Sequence, residues 1–258
     1  MEFENIRLER DGGLAYLVLN RPDKFNALSR AMIREMAEAL EGLGTDRSVR
    51  VVVIRAEGKH FCTGHDLSEM VDRDTVDYQE IFSSCTVMMN RVHEIPQPVI
   101  AQVHGIATAA GCQLTAACDL ALAEEGARFA TPGVRIGLFC ATPMVPLFRA
   151  VGRKRALEML LTGRNVSAAE AADWGLINRV VPLDRLAEET RELASNIAQA
   201  SPLTLAIGKQ AFYDSEGLAE TQAYDLAKRV MAMSLTTHDA GEGISAFLGK
   251  RPPDWKGR

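Results

Sequence analysis

The chain has 258 residues, 47% of them hydrophobic, and a formal net charge of −5. That length suits one large domain, or one domain with a small appendage. A folded chain of this size buries roughly 70–75% of the surface that the unfolded chain exposes. The acidic balance argues against a general nucleic-acid binder, and no apolar run is long enough to predict a membrane-spanning helix.

The N-terminal string MEFENIRLER is charged from its second residue. It lacks the apolar run of a secretory signal and the acid-poor composition of a transit peptide, so we expect a cytoplasmic protein, with a processed organellar form as the alternative. The five cysteines are odd in number and form no C-x-x-C pair, a pattern that favours reduced thiols over a disulfide framework or a zinc site. The histidines are dispersed as well, and we expect no metal and no cofactor.

Short runs rich in Val, Ile and Leu predict β-strands along the first two thirds of the chain. In chain order they cover Leu14–Asn20, Val49–Ala56, Pro98–Val103, Leu120–Ala123 and Ile177–Val181. Between the strands, apolar residues with a helical period predict amphipathic helices over Ser29–Leu43 and Tyr78–Val92.

Further helix signals lie on both sides of the last of these strands, and after Val181 the chain shows helical patterns only. Ser167–Glu170 has the sequence SAAE, a capping box that predicts a helix start. Leu183–Ala200 is amphipathic, and Ser201 followed by Pro202 predicts an N-cap with proline at the first helical position. An α/β core with a helical C-terminal region follows, and we predict that these parts cover residues 1–195 and 196–258.

Two segments that follow predicted strands carry the residues of chemical interest. Gly58–Leu67 has the sequence GKHFCTGHDL, and His104–Leu114 has the sequence HGIATAAGCQL. Ala109, Ala110 and Gly111 have little or no side chain, so a ligand can approach bare backbone N–H groups at a helix start, where the helix dipole favours negative charge. Each segment alone is also compatible with an ordinary turn and a tightly packed helix.

In this order and spacing, the two segments resemble the enoyl-CoA hydratase/isomerase (crotonase) family, and the resemblance covers nearly the whole chain. The strings that carry it are LNRPDKFNALS (Leu19–Ser29), FCTGHDL (Phe61–Leu67), HGIATAAGCQLTAACDLALA (His104–Ala123), FATPGVRIGL (Phe129–Leu138), RALEMLLTG (Arg155–Gly163), AAEAADWGLINRVVP (Ala168–Pro182) and AFLGKRPPDW (Ala246–Trp255). Within the family, GHDL, TAAGCQL and ATPGVRIGLFC are similar to the subgroup called enoyl-CoA hydratase domain-containing protein three.

The resemblance implies a crotonase-type α/β spiral of β-β-α units with a helical C-terminal region that builds homotrimers, often paired into hexamers. It implies an acyl-CoA thioester as the small-molecule ligand, with coenzyme A as part of the substrate. It implies neither a nucleic-acid nor a membrane partner. RNA binding, known for some relatives, is disfavoured by the acidic balance and by the lack of a helix rich in Lys and Arg.

The family's motifs also imply roles for individual residues. The residue after the glycine of FCTGH, His65, and the residue three before the first catalytic acid, Ala110, donate backbone N–H groups to the thioester oxygen. The implied contacts with the ligand are Lys24, Phe25, His65, Asp66, Leu67, Ser68 and Ala110. Three further basic residues are either contacts to CoA phosphates or ordinary surface charges, namely Lys209, Lys250 and Arg251.

Both catalytic glutamates of the family's hydratases are replaced in this chain. Gln113 occupies the first position and Gly133 the second. Each general acid or base contributes roughly 10²–10⁴ to a rate, and glutamine cannot act as a base near neutral pH. We expect Gly133 to leave space for a bulkier acyl group or for water.

No other side chain stands out as a substitute for the glutamates. An inward-facing His65 imidazole could act as a base, but a loop position favours contact with solvent or CoA. Asp66 fits a loop-capping role and Asp119 a structural one. Cys112 and Cys140 fit small packing thiols better than groups that face the pocket.

Several functions follow from this pattern. The first is an acyl-CoA enzyme of the hydratase/isomerase type that stabilises an enolate oxyanion, with weak or absent hydration of crotonyl-CoA. Isomerase, decarboxylase and thioester hydrolase chemistry stay open, and a decarboxylase needs the least acid–base placement. The alternative is a non-catalytic acyl-CoA-binding oligomer that keeps the oxyanion hole as a recognition site.

Overall fold

A computed structural model describes residues 3–258. The strands are β1 Ile6–Asp11, β2 Leu14–Leu19, β3 Val51–Ala56, β4 Val99–Val103, β5 Ile106–Thr108, β6 Leu120–Glu124, β7 Arg128–Ala130, β8 Val166–Ser167 and β9 Arg179–Val181. The α-helices are α1 Arg30–Thr45, α2 Thr75–Glu94, α3 Ala110–Ala117, α4 Ala141–Thr162, α5 Ala168–Trp174, α6 Leu183–Ala198, α7 Pro202–Ser215, α8 Glu220–Ser234 and α9 His238–Leu248.

Six strands form the main sheet in the order β1-β2-β3-β4-β6-β9. β1 and β2 make an antiparallel hairpin, and every other pair in this sheet is parallel. All residues of β2 and β4 are buried, which is typical of parallel strands covered on both faces. One face packs against α1 and α2, and the other packs against α6.

A smaller sheet, in the order β5-β7-β8, lies beyond the main sheet. β5 pairs in parallel with β7, so Thr108 lies opposite Ala130. Because α3 begins two residues after β5 ends, this sheet fixes where the first turn of α3 lies. The start of α3 therefore faces the segment that follows β7.

The five predicted strands and the predicted α/β architecture are confirmed. The capping box at Ser167 and Glu170 is present, and Ser201 caps α7 by accepting a hydrogen bond from the backbone N–H of Thr204 at 3.2 Å. Four strands escaped prediction. β1, with sequence IRLERD, is an exposed edge strand in which charges replace apolar residues, whereas β5, β7 and β8 have three residues or fewer.

The chain after β9 is helical, as predicted. Helix α7 is attached to the core by a buried ion pair, in which Lys209 Nζ lies 2.8 Å from Asp119 Oδ2. Tyr213, one turn further along α7, donates to Asp119 Oδ1 at 2.7 Å.

The boundary between residues 195 and 196 lies inside α6, and the division into two parts stays a prediction. No helix within residues 3–258 is long and apolar enough to cross a membrane.

Candidate active site

The segment between β2 and α1 packs against the segment between β3 and α2. The backbone N–H of Leu28 donates to Gly64 O at 2.7 Å, and that of Asp66 donates to Leu28 O at 2.9 Å. Arg21 adds an ion pair to Asp66 at 3.0 Å, and the buried Asn26 side chain donates to two backbone carbonyls of the second segment. The two segments are therefore held together by main-chain hydrogen bonds and by partly buried side chains.

The second segment also packs against the start of α3. The backbone N–H of Thr108 donates to Cys62 O at 3.0 Å, and its hydroxyl donates to Thr63 O at 3.1 Å. Gly64 has a φ of +101°, and a Cβ placed there would lie only 3.5 Å from the backbone nitrogen of Ala110. The structure thus brings the chain around His65 next to the first residue of α3.

Several backbone N–H groups in this region have no hydrogen-bond acceptor among residues 3–258. They include those of His65 and Ala110, the residues to which the sequence resemblance assigns the oxyanion hole. Ala110 is the first residue of α3, where helix geometry leaves the N–H unpaired. A pair of unpaired donors on adjacent segments is suited to bind an oxygen that carries negative charge.

The residue before α3 has an unusual backbone. Ala109 has φ 50° and ψ −117°, a conformation that costs a residue with a Cβ about 1–3 kcal/mol. It is held on both sides, since its N–H donates to Ala130 O at 2.9 Å and its carbonyl accepts from the N–H of Gln113 at 2.9 Å. This turn sets the direction of the Ala110 N–H.

The imidazole of His65 is largely buried, in contrast to the expected contact with solvent. Its ring meets Phe82 of α2 edge-on, with centroids 5.4 Å apart, and its Nε2 is buried without a hydrogen-bond partner among residues 3–258. Burial lowers the pKa of His65 to about 4, so the ring is neutral near pH 7. Phe82 lines an open groove along α2 with Tyr78 and Thr86.

The two positions of the family's glutamates have different surroundings. Gln113 is buried, and its Oε1 has no partner among residues 3–258. At Gly133 the expected free space is absent, and that expectation is wrong. A Cβ there would lie 2.5 Å from Leu138 O and 2.8 Å from Cys140 Sγ, because the chain after the short helix Pro132–Ile136 folds back over Gly133.

The remaining implied contacts with the ligand lie on the surface of the two packed segments. Lys24, Phe25, Leu67 and Ser68 are exposed. Asp66 has the predicted capping role, since its Oδ1 accepts hydrogen bonds from the Ser68 hydroxyl at 2.6 Å and from the Ser68 N–H at 3.2 Å. All of these residues lie on segments that adjoin the two free N–H groups.

Lys209 is neither a surface charge nor a phosphate contact, and both expectations for it are wrong. Its ammonium group is buried and donates to Val92 O at 2.7 Å and Gln97 O at 2.9 Å, in addition to its ion pair with Asp119. Asp119 is structural, as expected. Arg251 is engaged with Glu242, the shorter contact being 2.6 Å.

The thiols behave as the sequence predicted. Cys112 and Cys140 are buried and unpaired, as are the other three cysteines, and burial raises the pKa of Cys112 to about 12. No group of three or more side chains that could hold a metal ion occurs within residues 3–258.

Three side chains of the site were missed from the sequence. Thr131 is buried with an unpartnered hydroxyl, Phe82 contacts His65, and Arg21 forms the ion pair to Asp66. Arg21 and Thr131 lie within the strings LNRPDKFNALS and FATPGVRIGL, so the motif was visible although the individual roles were not. Phe82 had no such signal, because it looks like any apolar residue on an amphipathic helix.

The model of the family enoyl-CoA hydratase/isomerase matches residues 9–258. The chain therefore belongs to the enoyl-CoA hydratase/isomerase (crotonase) superfamily. Within it, the chain groups with enoyl-CoA hydratase domain-containing protein three. The protein of that name from Xenopus laevis is 45% identical over 249 residues, which cover 96% of this chain and 85% of the relative.

Two crystal structures confirm the expected crotonase-type fold. An enoyl-CoA hydratase from Mycobacterium smegmatis superposes with a TM-score of 0.95 at 48% identity, covering 98% of this chain and 99% of that one. Human enoyl coenzyme A hydratase domain-containing protein 3 superposes with a TM-score of 0.94 at 43% identity, covering 98% and 100%.

The expectation of a cytoplasmic protein is wrong in the light of these relatives. The Xenopus laevis protein and its human counterpart both carry the word mitochondrial in their names. The charged N-terminal string misled the prediction because the absence of a targeting pattern says little about where a chain acts.

Proposed function

We propose that this protein binds an acyl-CoA thioester and stabilises negative charge on its carbonyl oxygen. The observation that carries the proposal is the pair of unpartnered N–H groups of His65 and Ala110. Loss of a proton or a carboxyl group at the α-carbon places charge on that oxygen, and removing one preorganised donor typically costs about 10²–10³ in rate. Lys24, Phe25, Asp66, Leu67 and Ser68 are the proposed contacts with the rest of the ligand.

Ordinary hydratase activity is not part of the proposal. Hydration needs one group to activate water and another to protonate the α-carbon, and Gln113 and Gly133 supply neither. The loss of two such groups corresponds to roughly 10⁴–10⁸ in rate if their effects multiply, and to less where they act as a unit. Isomerase and thioester hydrolase chemistry need acid–base groups in other positions, and decarboxylase chemistry needs the fewest.

We expect the purified protein to hydrate crotonyl-CoA at least about 10⁴-fold more slowly than a hydratase with both glutamates. The measurement is the loss of the conjugated thioester absorbance. We expect the Gln113→Glu, Gly133→Glu double variant not to restore hydration, because a side chain at residue 133 meets Leu138 O and Cys140 Sγ. Hydration by the wild type at rates typical of the family would contradict the proposal.

Turnover distinguishes an enzyme from the alternative, a non-catalytic acyl-CoA-binding oligomer. The missing carboxylates are the observation that favours this second function. Incubation with a panel of acyl-, enoyl- and carboxyacyl-CoAs, analysed by chromatography, separates the two. Steady conversion of any one compound excludes the alternative, and binding without conversion supports it.

We also propose that the chain forms homotrimers, alone or paired into hexamers. Large apolar side chains are exposed along the C-terminal helices, namely Tyr224, Met231, Met233, Leu235, Ile244, Phe247 and Leu248, and exposed apolar surface of this kind marks interfaces between chains. We expect light scattering to give three or six times the chain mass of 28.2 kDa. A monomer at micromolar concentration would contradict this.

A further inference from the structure

A cavity with a volume of about 330 Å³ lies where β3 and β4 begin. Its walls include the residues that precede these strands, the first turn of α7 and the segment Trp255–Gly257. The two segments of the candidate active site follow the opposite ends of the same strands. Since a strand rises about 3.3 Å per residue, the length of β3 puts roughly 20 Å between the cavity and that site. This β3–β4 cavity is therefore separate from the proposed thioester site.

The Arg50 side chain is fixed in the wall of the β3–β4 cavity. Its Nη2 donates to Ala200 O, and its Cγ lies where a Cβ on Gly13 would come within 2.8 Å of it. Its Nε is sealed from solvent without a partner, whereas Nη1 is neither sealed nor hydrogen-bonded within residues 3–258. A guanidinium that is held at one nitrogen and free at another is prepared to bind an anion.

The charged residues that line the β3–β4 cavity are all positive. They are Arg47, Arg50 and Lys256, and no Asp or Glu among residues 3–258 lines it. Lys256 pairs with Asp254 at 2.6 Å, but both side chains are largely exposed, so solvent weakens that pair. Gln97 also lines the cavity, yet its amide N–H groups already donate to two backbone carbonyls. The free side-chain donors of the cavity are therefore cationic.

Much of the remaining wall is apolar and stiff. It contains Pro96, Pro98, Pro202, Leu203 and the indole of Trp255. Proline has a fixed φ, so little conformational freedom is lost when a ligand covers this wall. An inorganic anion would leave the apolar wall unused, whereas a carboxylate with a hydrocarbon body would contact both the cations and the apolar side chains.

The C-terminal wall of the cavity is held in place by a buried carboxylate. Asp239, which is 1% exposed, accepts hydrogen bonds from the backbone N–H groups of Lys256 at 2.8 Å and Gly257 at 3.0 Å. The Trp255 indole N–H donates to Gln199 O at 2.7 Å. These contacts are complete without a ligand, so the cavity is formed before anything binds.

We propose that the β3–β4 cavity is a second ligand site, for a small carboxylate with an apolar body. The carboxylate accepts a hydrogen bond from Arg50 Nη1, and the hydrocarbon part packs against the prolines and Trp255. A volume of about 330 Å³ is at the lower end of the range for small-molecule sites. The inference does not rest on the proposed function, because the two sites share no residue.

A fluorescence titration with hexanoate tests the proposal. The chain has two tryptophans, and Trp174→Phe leaves Trp255 in the cavity wall as the single reporter. We expect hexanoate to change the Trp255 emission to saturation with a Kd of about 1 mM or below. The uncharged 1-hexanol, the cationic hexylamine and inorganic phosphate each lack one of the two recognised features, and we expect each to bind at least about 10-fold more weakly.

Arg50→Met and a matched control identify the residue that binds the carboxylate. Arg50→Met keeps an unbranched side chain and removes the guanidinium, and we expect at least about a 10-fold weaker affinity for hexanoate. Arg128 also donates to backbone carbonyls, at 3.0 and 2.8 Å, but it does not line the cavity. Arg128→Met should therefore bind hexanoate as the parent protein does.

Each other outcome overturns a stated part of the proposal. The absence of a saturable response to hexanoate overturns the site itself. Equal affinity for 1-hexanol overturns the preference for an anion, and tighter binding of phosphate overturns the carboxylate. Binding that survives in Arg50→Met overturns the role of Arg50. Should Arg50→Met not fold, the double variant Arg47→Met, Lys256→Met replaces two exposed cations, and an unchanged affinity there overturns the electrostatic part.

Discussion

Lys209→Met is expected to lower the free energy of unfolding by about 3–5 kcal/mol, the usual cost of removing one partner from a buried ion pair. The variant leaves the Asp119 carboxylate buried without its countercharge. It also leaves Val92 O and Gln97 O without the donor that lies 2.7 and 2.9 Å away in the wild type. Urea unfolding followed by circular dichroism, at matched protein concentrations, measures the difference.

Lys228→Met is the matched control. Lys228 forms an ion pair with Asp225 at 2.7 Å, but both side chains are more than half exposed. Exposed pairs of this kind contribute about 0–1 kcal/mol, so this variant should unfold almost as the wild type does. If the two variants lose the same stability, the ion pair with Asp119 does not attach α7 to the core in the way described.

Gly111→Ala is expected to disrupt both stability and acyl-CoA binding. Its Cβ would overlap the carbonyl oxygen of Cys62 and lie 2.8 Å from the carbonyl carbon. Both atoms are main-chain atoms, so the start of α3 has to move away from the segment that carries His65. Overpacking of this kind costs about 1–3 kcal/mol. The same movement separates the two N–H donors, and we expect at least about a 10-fold loss of acyl-CoA affinity.

Gly208→Ala is the matched control for Gly111→Ala. It tests whether the losses come from the overlap of the new Cβ with main-chain atoms or from the change of glycine to alanine in itself. Gly208 also lies inside a helix, but a Cβ there meets no atom within 4 Å. Alanine favours a helix interior over glycine by about 1 kcal/mol, so this variant should be slightly more stable. A Gly111→Ala protein with wild-type stability and affinity would show that α3 does not begin in close contact with Cys62.

The sequence predicted the parts of the fold in which local pattern and burial agree. β2, β3 and β4 are largely apolar because helices cover the sheet on both faces, so their composition alone identifies them. β1 lies at the sheet edge, and its charged side chains hide its strand character. β5 and β7, at three residues each, are too short to show any period, although they position α3.

The candidate site was predictable where it depends on the main chain and unpredictable where it depends on packing. His65 and Ala110 come from the family's motifs, whose glycines lie beside them in the sequence, and their role as oxyanion donors stays a prediction. The filled space at Gly133 was not visible, since it depends on where Leu138 and Cys140 return in three dimensions. The burial of His65 and Lys209 likewise comes from distant residues, Phe82 and Asp119, which no local pattern connects to them.

The closure over Gly133 limits how a general acid could be engineered into this site. Leu138 N–H donates to Gly133 O at 2.9 Å, and the Leu138 carbonyl then occupies the volume that any side chain at residue 133 would need. A glutamate at residue 133 requires the path of Leu138–Cys140 to change as well, so a single substitution there is not enough to supply the acid.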